Sequence, residues 1–322
     1  MKTLFRSFLA ALLTCAAAQT AAQSYPTKAV HVVVPFPPSG AADLLTRALG
    51  KKLGEAWGQA VVADNRPGAG GNIGAEAVAK SAPDGYTLLM AAVTTHAVSM
   101  SLYRKLGYDV EKDLVPVTLV ANVPHILVAH PSVPGKTLGE VISFLKAQGN
   151  KVNFASQGNG TLSHLEFELM KSMAGFSANH VPYKGSAPAM IDLLAGNVLL
   201  LFDSIPSALP QVRAGKLKGI AVAASRRSSV LPELPTLSEG GLAGFAADNW
   251  FGIMAPTGTP APIVAKLNAD FTRALDSPEV KEIVARQGGE LMASTPQQMA
   301  AQLKSDREKW GKVVRESGAH IE

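Results

Sequence analysis

From residue 25 onward, short apolar runs alternate with segments whose apolar residues recur at helical spacing. The run AVHVVVPF is short, β-branched and nearly continuously apolar, the pattern of a buried strand. LLTRALGKKLGEAWG follows, with Leu44, Leu45, Ala48, Leu49 and Leu53 at helical spacing. QAVVADNRPGAGG predicts a second strand running into a glycine loop. NIGAEAVAKSAPDG predicts a short helix ending at a turn, and YTLLMAAVTTH a third strand. This βαβαβ order predicts a parallel sheet with helices on its faces.

The stretch LVPVTLVANVPHILVAHPS is extended and interrupted at Pro124, which suits a strand passing from one domain to another. TLGEVISFLKAQG reads as a helix capped by glycine. KVNFASQGNGTLSHLEFELMKSMAG repeats the opening order of strand, glycine loop and helix, and ANHVPYKGSAPAMIDLLAGNV does so again. VLLLFDSIPSALPQVRAG and LKGIAVAAS supply two more strands, and RRSSVLPELPTLSEGGLAGF is a proline- and glycine-rich connector. NWFGIMAP is a strand, and three helices follow. Thr259-Pro260, Ser277-Pro278 and Thr295-Pro296 each place a hydroxyl cap before a first-turn proline. The expected fold class is α/β, with two α/β lobes, a hinge and a ligand cleft. The chain is expected to cross near Val123 and return near Trp250, where the indole packs at the hinge. That divides it into residues 1–22, a leader; 23–123, the first part of lobe one; 124–249, lobe two; and 250–322, the second part of lobe one.

The N-terminal segment changes this picture in one respect. Lys2 and Arg6 precede an apolar run from Phe8 to Leu13 and then small residues, the order of a secretory signal peptide. Cleavage is expected after Ala22, with Ala18 the other candidate. Cys15 raises a lipoprotein alternative, which Thr14 before it disfavours. The mature chain would then contain no cysteine, since Cys15 is the only one. That excludes disulfides, thiol catalysis and thiolate metal sites, and the expected compartment is the periplasm. Of the 322 residues 47% are hydrophobic, enough for more than one core. The net charge of +5 is dispersed and only 6% of residues are aromatic, which argues against a nucleic-acid surface.

Candidate chemistry gathers at strand-to-helix junctions. In PFPPSGAAD, the prolines stop the strand, and Gly40 permits close approach and a positive φ. Ser39, Gly40, Ala41 and Ala42 then present backbone N–H groups at a helix start, where the dipole favours an anion. Asp43 lies in the first turn and is expected to cap sideways. The second junction, FASQGNGTLSH, places Ser156, Gln157, Gly158, Asn159, Gly160 and Thr161 before a helix in the other lobe. Two such turns on opposed lobes can hold one carboxylate between them. Thr94 and Thr95, Tyr183 and Lys184, and Asp203 with Ser204 end other strands. Asp203 reads as a helix cap or as a partner for an α-amino group. Tyr183 and Lys184 are structural or ligand-facing, and His164 reads as a hydrogen-bonded structural residue. RPGAGGNIG has Ile73 where a dinucleotide loop needs its third glycine, so it reads as a helix-start turn. No HExxH or metal-spaced histidines occur among the seven histidines. Ser39, His164 and Asp203 form a conceivable triad without a GxSxG elbow. No cofactor, metal or catalytic residue is expected.

PFPPSGAAD, NRPGAGGNIGAEAVAKSAPDGYTLL, HVPYKGSAPAMIDLLAGNV, LPELPTLSEGGLAGF and WFGIMAPTGTP together resemble the periplasmic substrate-binding proteins of tripartite tricarboxylate transporters, the Bug-type receptors. The resemblance runs from about Tyr25 to the C-terminus. It implies a type II periplasmic-binding-protein fold with Venus-flytrap closure. It also implies a small organic anion or amino-acid ligand, held by residues 36–43, Phe36 and Pro38 included, and by residues 156–161. The family usually reads PFPPGG, and Ser39 here replaces the first glycine of that pair. The expected protein is a monomeric solute-binding receptor that delivers a di- or tricarboxylate or amino acid to membrane transporter subunits. A ligand-dependent receptor presenting its closed form to a sensor protein is the alternative, and a periplasmic hydrolase using Ser39 is a third.

Overall fold

The computed structural model describes residues 25–317. The expected leader, with Cys15 and both cleavage positions, lies outside the described residues. The first part of the chain forms β1 (Val30–Val34), α1 (Ala41–Trp57), β2 (Val61–Asn65), α2 (Asn72–Ala79) and β3 (Thr87–Ala92). It continues with α3 (Ser99–Leu102), α4 (Val110–Asp113) and β4 (Leu114–Asn122). The middle part forms β5 (His125–Ala129), α5 (Leu138–Gln148), β6 (Asn153–Ser156), α6 (Leu162–Ala174) and β7 (Asn179–Pro182). After these come α7 (Ser186–Ala195), β8 (Leu200–Ser204), α8 (Ile205–Arg213) and β9 (Lys218–Val222). The last part forms β10 (Trp250–Pro256), α9 (Ala261–Leu275), α10 (Pro278–Arg286), β11 (Glu290–Leu291) and α11 (Pro296–Ser317).

These strands build two sheets. A six-stranded sheet has the order β11-β4-β10-β3-β1-β2, and a five-stranded sheet the order β7-β6-β8-β5-β9. β1 pairs in parallel with β2 and β3, and β10 runs antiparallel to β3 and β4. In the second sheet β6 is parallel to β7 and β8, while β5 is antiparallel to β8 and β9. The predicted βαβαβ order is therefore present in both lobes, and each sheet carries an antiparallel strand in its interior, β10 in the first and β5 in the second.

Each sheet is covered on both faces, which is why its strands are apolar on both sides. Val30, Val32 and Val34 of β1 face Leu45, Leu49 and Leu53 of α1 and, beyond, Phe271 and Leu275 of α9. Val33 faces the opposite layer, with Val78 of α2 and Trp310 and Val314 of α11. That second layer runs without a break into lobe two, through Leu165 and Phe167 of α6 and Phe202 of β8. α11 thus packs on both lobes, and Ser172 of α6 donates to Glu316 of α11 at 3.5 Å. The outer face of the second sheet packs Ile126, Val128 and Leu201 on Met190 and Leu193 of α7 and Ile205 of α8.

Local signals explain most helix starts. Thr137 and Glu140 form a capping box on α5. The Ser277 hydroxyl accepts the Val280 amide at 3.4 Å, and the Thr295 hydroxyl accepts the Gln298 amide at 3.2 Å. Thr259 departs from the expectation. Its hydroxyl donates back to the Pro256 carbonyl at 2.7 Å, and Pro260 itself occupies the cap position of α9. α8 is also unanticipated. Pro206 sits in its first turn, where no N–H is needed, and Pro210 lies inside the helix. Among the described residues, no helix is long and apolar enough to cross a membrane.

Candidate functional site

Strand direction brings the two predicted turns to facing edges. β4 runs in the same direction as β3, because both are antiparallel to β10. Its last residue, Asn122, therefore lies at the edge where β1, β2 and β3 end. In the second sheet His125, the first residue of β5, pairs with Ser204, the last residue of β8. Residues 122–125 thus join the carboxyl-terminal edge of one sheet to that of the other. The return path does the same, since Val222 pairs with Ile126 and Trp250 with Asn122. The two crossings are bonded together. The Val123 amide donates to the Asn249 carbonyl at 2.9 Å, and the Asn122 amide group donates to Asp248 at 3.0 Å. Ligand crevices in open α/β sheets lie outside such strand ends.

The first turn, between β1 and α1, is exposed from Pro37 to Gly40, with Phe36 and Ala41 half-buried. Gly40 has an extended conformation, φ −78° and ψ 172°. The left-handed residue is instead Ser39, at φ 69°, which corrects the expectation of positive φ at Gly40. Asp43 is buried and turned sideways. Its Oδ2 accepts the Ser39 amide at 2.9 Å and Arg47 Nε at 3.0 Å, while its Oδ1 lies 2.9 Å from the Arg47 guanidinium. Burial opposes the charge on Asp43, but hydrogen bonds from Arg47 and Ser39 outweigh it and hold its carboxyl below the usual carboxylate range. Arg47 also donates to Asn65, whose own amide donates to the Phe36 carbonyl at 3.1 Å. That chain ties the turn to the end of β2. The amides of Ala41, Ala42 and Asp43 open α1, where no preceding helical carbonyl is there to accept them.

The second turn, between β6 and α6, is held from within. The Gly158 amide donates to Ser156 Oγ at 3.1 Å, and the Thr161 amide and hydroxyl both reach the Gly158 carbonyl. The Gly160 amide donates to His164 Nδ1 at 3.1 Å. Three of the amides that the sequence suggested as open donors are therefore already engaged. Asn159, at the tip, is the exposed member of this turn. His164 stacks on His180 with ring centroids 3.8 Å apart and planes 7° apart, and His180 Nε2 lies 2.6 Å from Ser156 Oγ. Burial is the main force holding both imidazoles neutral, at about 3 for His164 and about 4 for His180.

Asp203 is completely buried beneath this turn. Its Oδ1 accepts Gln157 Nε2 and the Ser204 amide, each at 2.7 Å, and its Oδ2 accepts the hydroxyls of Ser186 and Ser207. It organises the ends of β6 and β8 and the start of α7. Gln157 is half-buried and held by that carboxylate. Tyr183 is half-buried, and its hydroxyl donates to Asp192 of α7; burial and that carboxylate push it up to about 12. Thr94 is half-buried at the start of a π turn over Thr94–Val98 that follows β3. Thr95 is fully buried, and its hydroxyl donates to the Gly70 carbonyl at 3.2 Å.

Sequence reasoning missed Ser186, Ser207 and His180. Their convergence depends on the parallel register of β7, β6 and β8, which no local pattern encodes. The four-residue step from Gly160 to His164 was the one available signal for a side-chain acceptor at the turn. Ser39, His164 and Asp203 are not joined by hydrogen bonds. His164 Nδ1 meets Gly160, and Asp203 meets Gln157, Ser204, Ser186 and Ser207. Among the described residues no cluster of three metal-ligating side chains occurs.

Comparison with known proteins accords with this geometry. Residues 45–319 match the tripartite tricarboxylate transporter family receptor. Protein BugT of Bordetella pertussis is 41% identical over 306 residues, covering 95% of this chain and 94% of BugT. The structure of Rpa4515 from R. palustris with adipate is 36% identical, with a TM-score of 0.84, covering 92% of this chain and 100% of that one. MatC from Rhodopseudomonas palustris with bound malate is 36% identical, with a TM-score of 0.79, covering 90% of this chain and 100% of its own. Two lobes, facing strand ends and a match spanning most of the sequence place this chain in the tripartite tricarboxylate transporter receptor family, among the Bug-type binding proteins.

Proposed function

We propose that this protein is an exported receptor that captures a small dicarboxylate between its lobes and delivers it to the membrane subunits of a tripartite tricarboxylate-type transporter. One observation carries the choice of ligand. Both acids near the two turns already have partners: Asp43 is bound by Ser39 and Arg47, and Asp203 by four donors. Asp203 has both oxygens engaged, and the one Asp43 oxygen without a hydrogen bond is buried against the Arg47 guanidinium, so neither is presented to an α-ammonium group. The start of α1 presents amides that suit a carboxylate. The relatives solved with adipate and malate support the same class.

In this reading residues 36–43 and 156–161 contact the ligand, and Thr94 and Tyr183 line the cleft between them. The protein acts as a monomer. Residues 1–22 direct export to the periplasm. Lobe one comprises residues 23–123 and 250–322, and lobe two residues 124–249.

A melting-shift screen tests the proposal with succinate, malate, adipate, citrate, aspartate and glutamate. A ligand that binds only the native state raises the melting temperature by mass action. A shift with a dicarboxylate that exceeds any shift with an amino acid is expected. Shifts confined to amino acids, or none at all, would reject the dicarboxylate assignment.

A further inference from the structure

We propose that His164 is the positioning residue of the second turn: by accepting the Gly160 amide it fixes residues 156–161 in the shape that meets the ligand. The inference rests on the carboxylate-binding reading above and concerns a residue outside both predicted turns.

The second turn contains two glycines at positive φ, Gly158 at 139° and Gly160 at 71°. Glycine has weak conformational preferences, so such a turn needs external anchors to hold one shape. Ser156 Oγ anchors the Gly158 amide, and His164 Nδ1 anchors the Gly160 amide. The imidazole is itself immobilised. It stacks on His180, His180 stacks on Phe154 at 5.0 Å, and Phe154 stacks on Phe167 at 4.0 Å. This four-ring column joins α6, β7 and β6, the elements that flank the turn. His180 meets the turn at its other end, through Ser156 Oγ. The acceptor role fixes the tautomer: Nδ1 is unprotonated, and Nε2 carries the hydrogen, 3.7 Å from Glu168 Oε1. His164 is nearly buried, so this nitrogen has little water to replace a lost partner.

Three variants of the full chain separate the acceptor from the ring. His164→Leu removes both. His164→Phe keeps a stacking ring and removes the acceptor. His164→Asn removes the ring and places an amide oxygen near the position of Nδ1. Two quantities are measured: amide hydrogen exchange of the segment 156–161 in ligand-free protein, and malate affinity by calorimetry. One lost hydrogen bond of about 1.4 kcal/mol corresponds to about a tenfold change. His164→Leu and His164→Phe should speed exchange and weaken malate binding by about that factor, and His164→Asn should restore most of both. Wild-type exchange and affinity in His164→Phe would overturn the assignment, as would His164→Asn behaving like His164→Leu. Failure of all three to fold would also overturn it, because the imidazole would then be required for the fold as a whole and not for the turn alone. Absence of malate binding by the wild-type chain would count against malate as ligand, while the exchange rates would still decide the role of His164.

Discussion

The indole N–H of Trp250 donates to the carboxylate of Asp306 at 2.7 Å. Trp250 opens β10, directly after the return crossing, and Asp306 lies on α11, the helix that packs on both lobes. Asp306 also accepts Gln302 Nε2 at 2.7 Å and faces Lys309 at 2.9 Å, while Lys309 donates to the Ala246 carbonyl in the crossing segment. Both Trp250 and Asp306 are buried. Asp306→Ala should strand the indole donor and the Lys309 ammonium. It is expected to lower unfolding free energy by roughly 3 kcal/mol, measured by urea denaturation of the ligand-free protein.

The left-handed backbone of Ser39 gives a second test. A non-glycine residue at φ 69° is held there by the Asp43 bond to its amide. Ser39→Ala retains that conformation and should change stability by less than about 0.5 kcal/mol. Ser39→Gly relieves about 1 kcal/mol of backbone strain, partly offset by about 0.5 kcal/mol of extra unfolded-state entropy. A small net gain in denaturation midpoint is expected. Weakened dicarboxylate binding by Ser39→Ala alone would assign a ligand contact to the hydroxyl.

Gly160 tests the second turn directly. A valine at φ 71° would be forced out of the left-handed region and would break the bond to His164. Gly160→Val should weaken binding of the carboxylate found by the melting-shift screen by about tenfold, as one lost hydrogen bond predicts. Circular dichroism should remain that of the folded protein. Unchanged affinity would place the ligand away from this turn.

Stability should fall on the acid side. His96, His164 and His180 are held neutral by burial, at about 4, 3 and 4. Their folded values lie below the unfolded value near 6.5, so the unfolded chain binds more protons in between. Stability is fully present above about pH 6.5 and is lost as pH falls through the folded values. Each histidine contributes a slope of up to about 1.4 kcal/mol per pH unit. Lys171, near both His164 and His180, reinforces the neutral forms. Urea unfolding at pH 7 and pH 5 should show the loss, and His164→Asn should reduce the slope.

The frame of this molecule was legible because its causes are local. The β-branched run before Phe36, the extended runs on either side of Pro124 and the run at Trp250 placed β1, β4, β5 and β10. The hydroxyl-proline pairs at Thr259, Ser277 and Thr295 announced α9, α10 and α11. α8 was hidden because Pro206 and Pro210 argue against a helix in isolation, although Pro206 occupies the first turn, where proline costs little. The turns were legible as glycine-rich junctions, but their hydrogen bonding was not. The Ser39 to Asp43 bond is local, but the bond from Asn65 of β2 to the Phe36 carbonyl joins the turn to a residue distant in sequence. The engagement of Asp203 by Ser186 and Ser207 depends on three parallel strands coming into register.

The position of β10 sets an order of assembly. It lies between β3 and β4 in the larger sheet, although more than a hundred residues separate it from either in the chain. Until it arrives, β2, β1 and β3 form one fragment and β4 has no neighbour, because β11 is synthesised later still. The five strands of the other sheet all lie between residues 125 and 222, so their ladder can pair without later chain, although its inner face is covered by Leu237, Phe245 and Trp310. A chain synthesised from its N-terminus can therefore pair the smaller sheet first, while the larger sheet waits for the last quarter of the polypeptide before its strands can join.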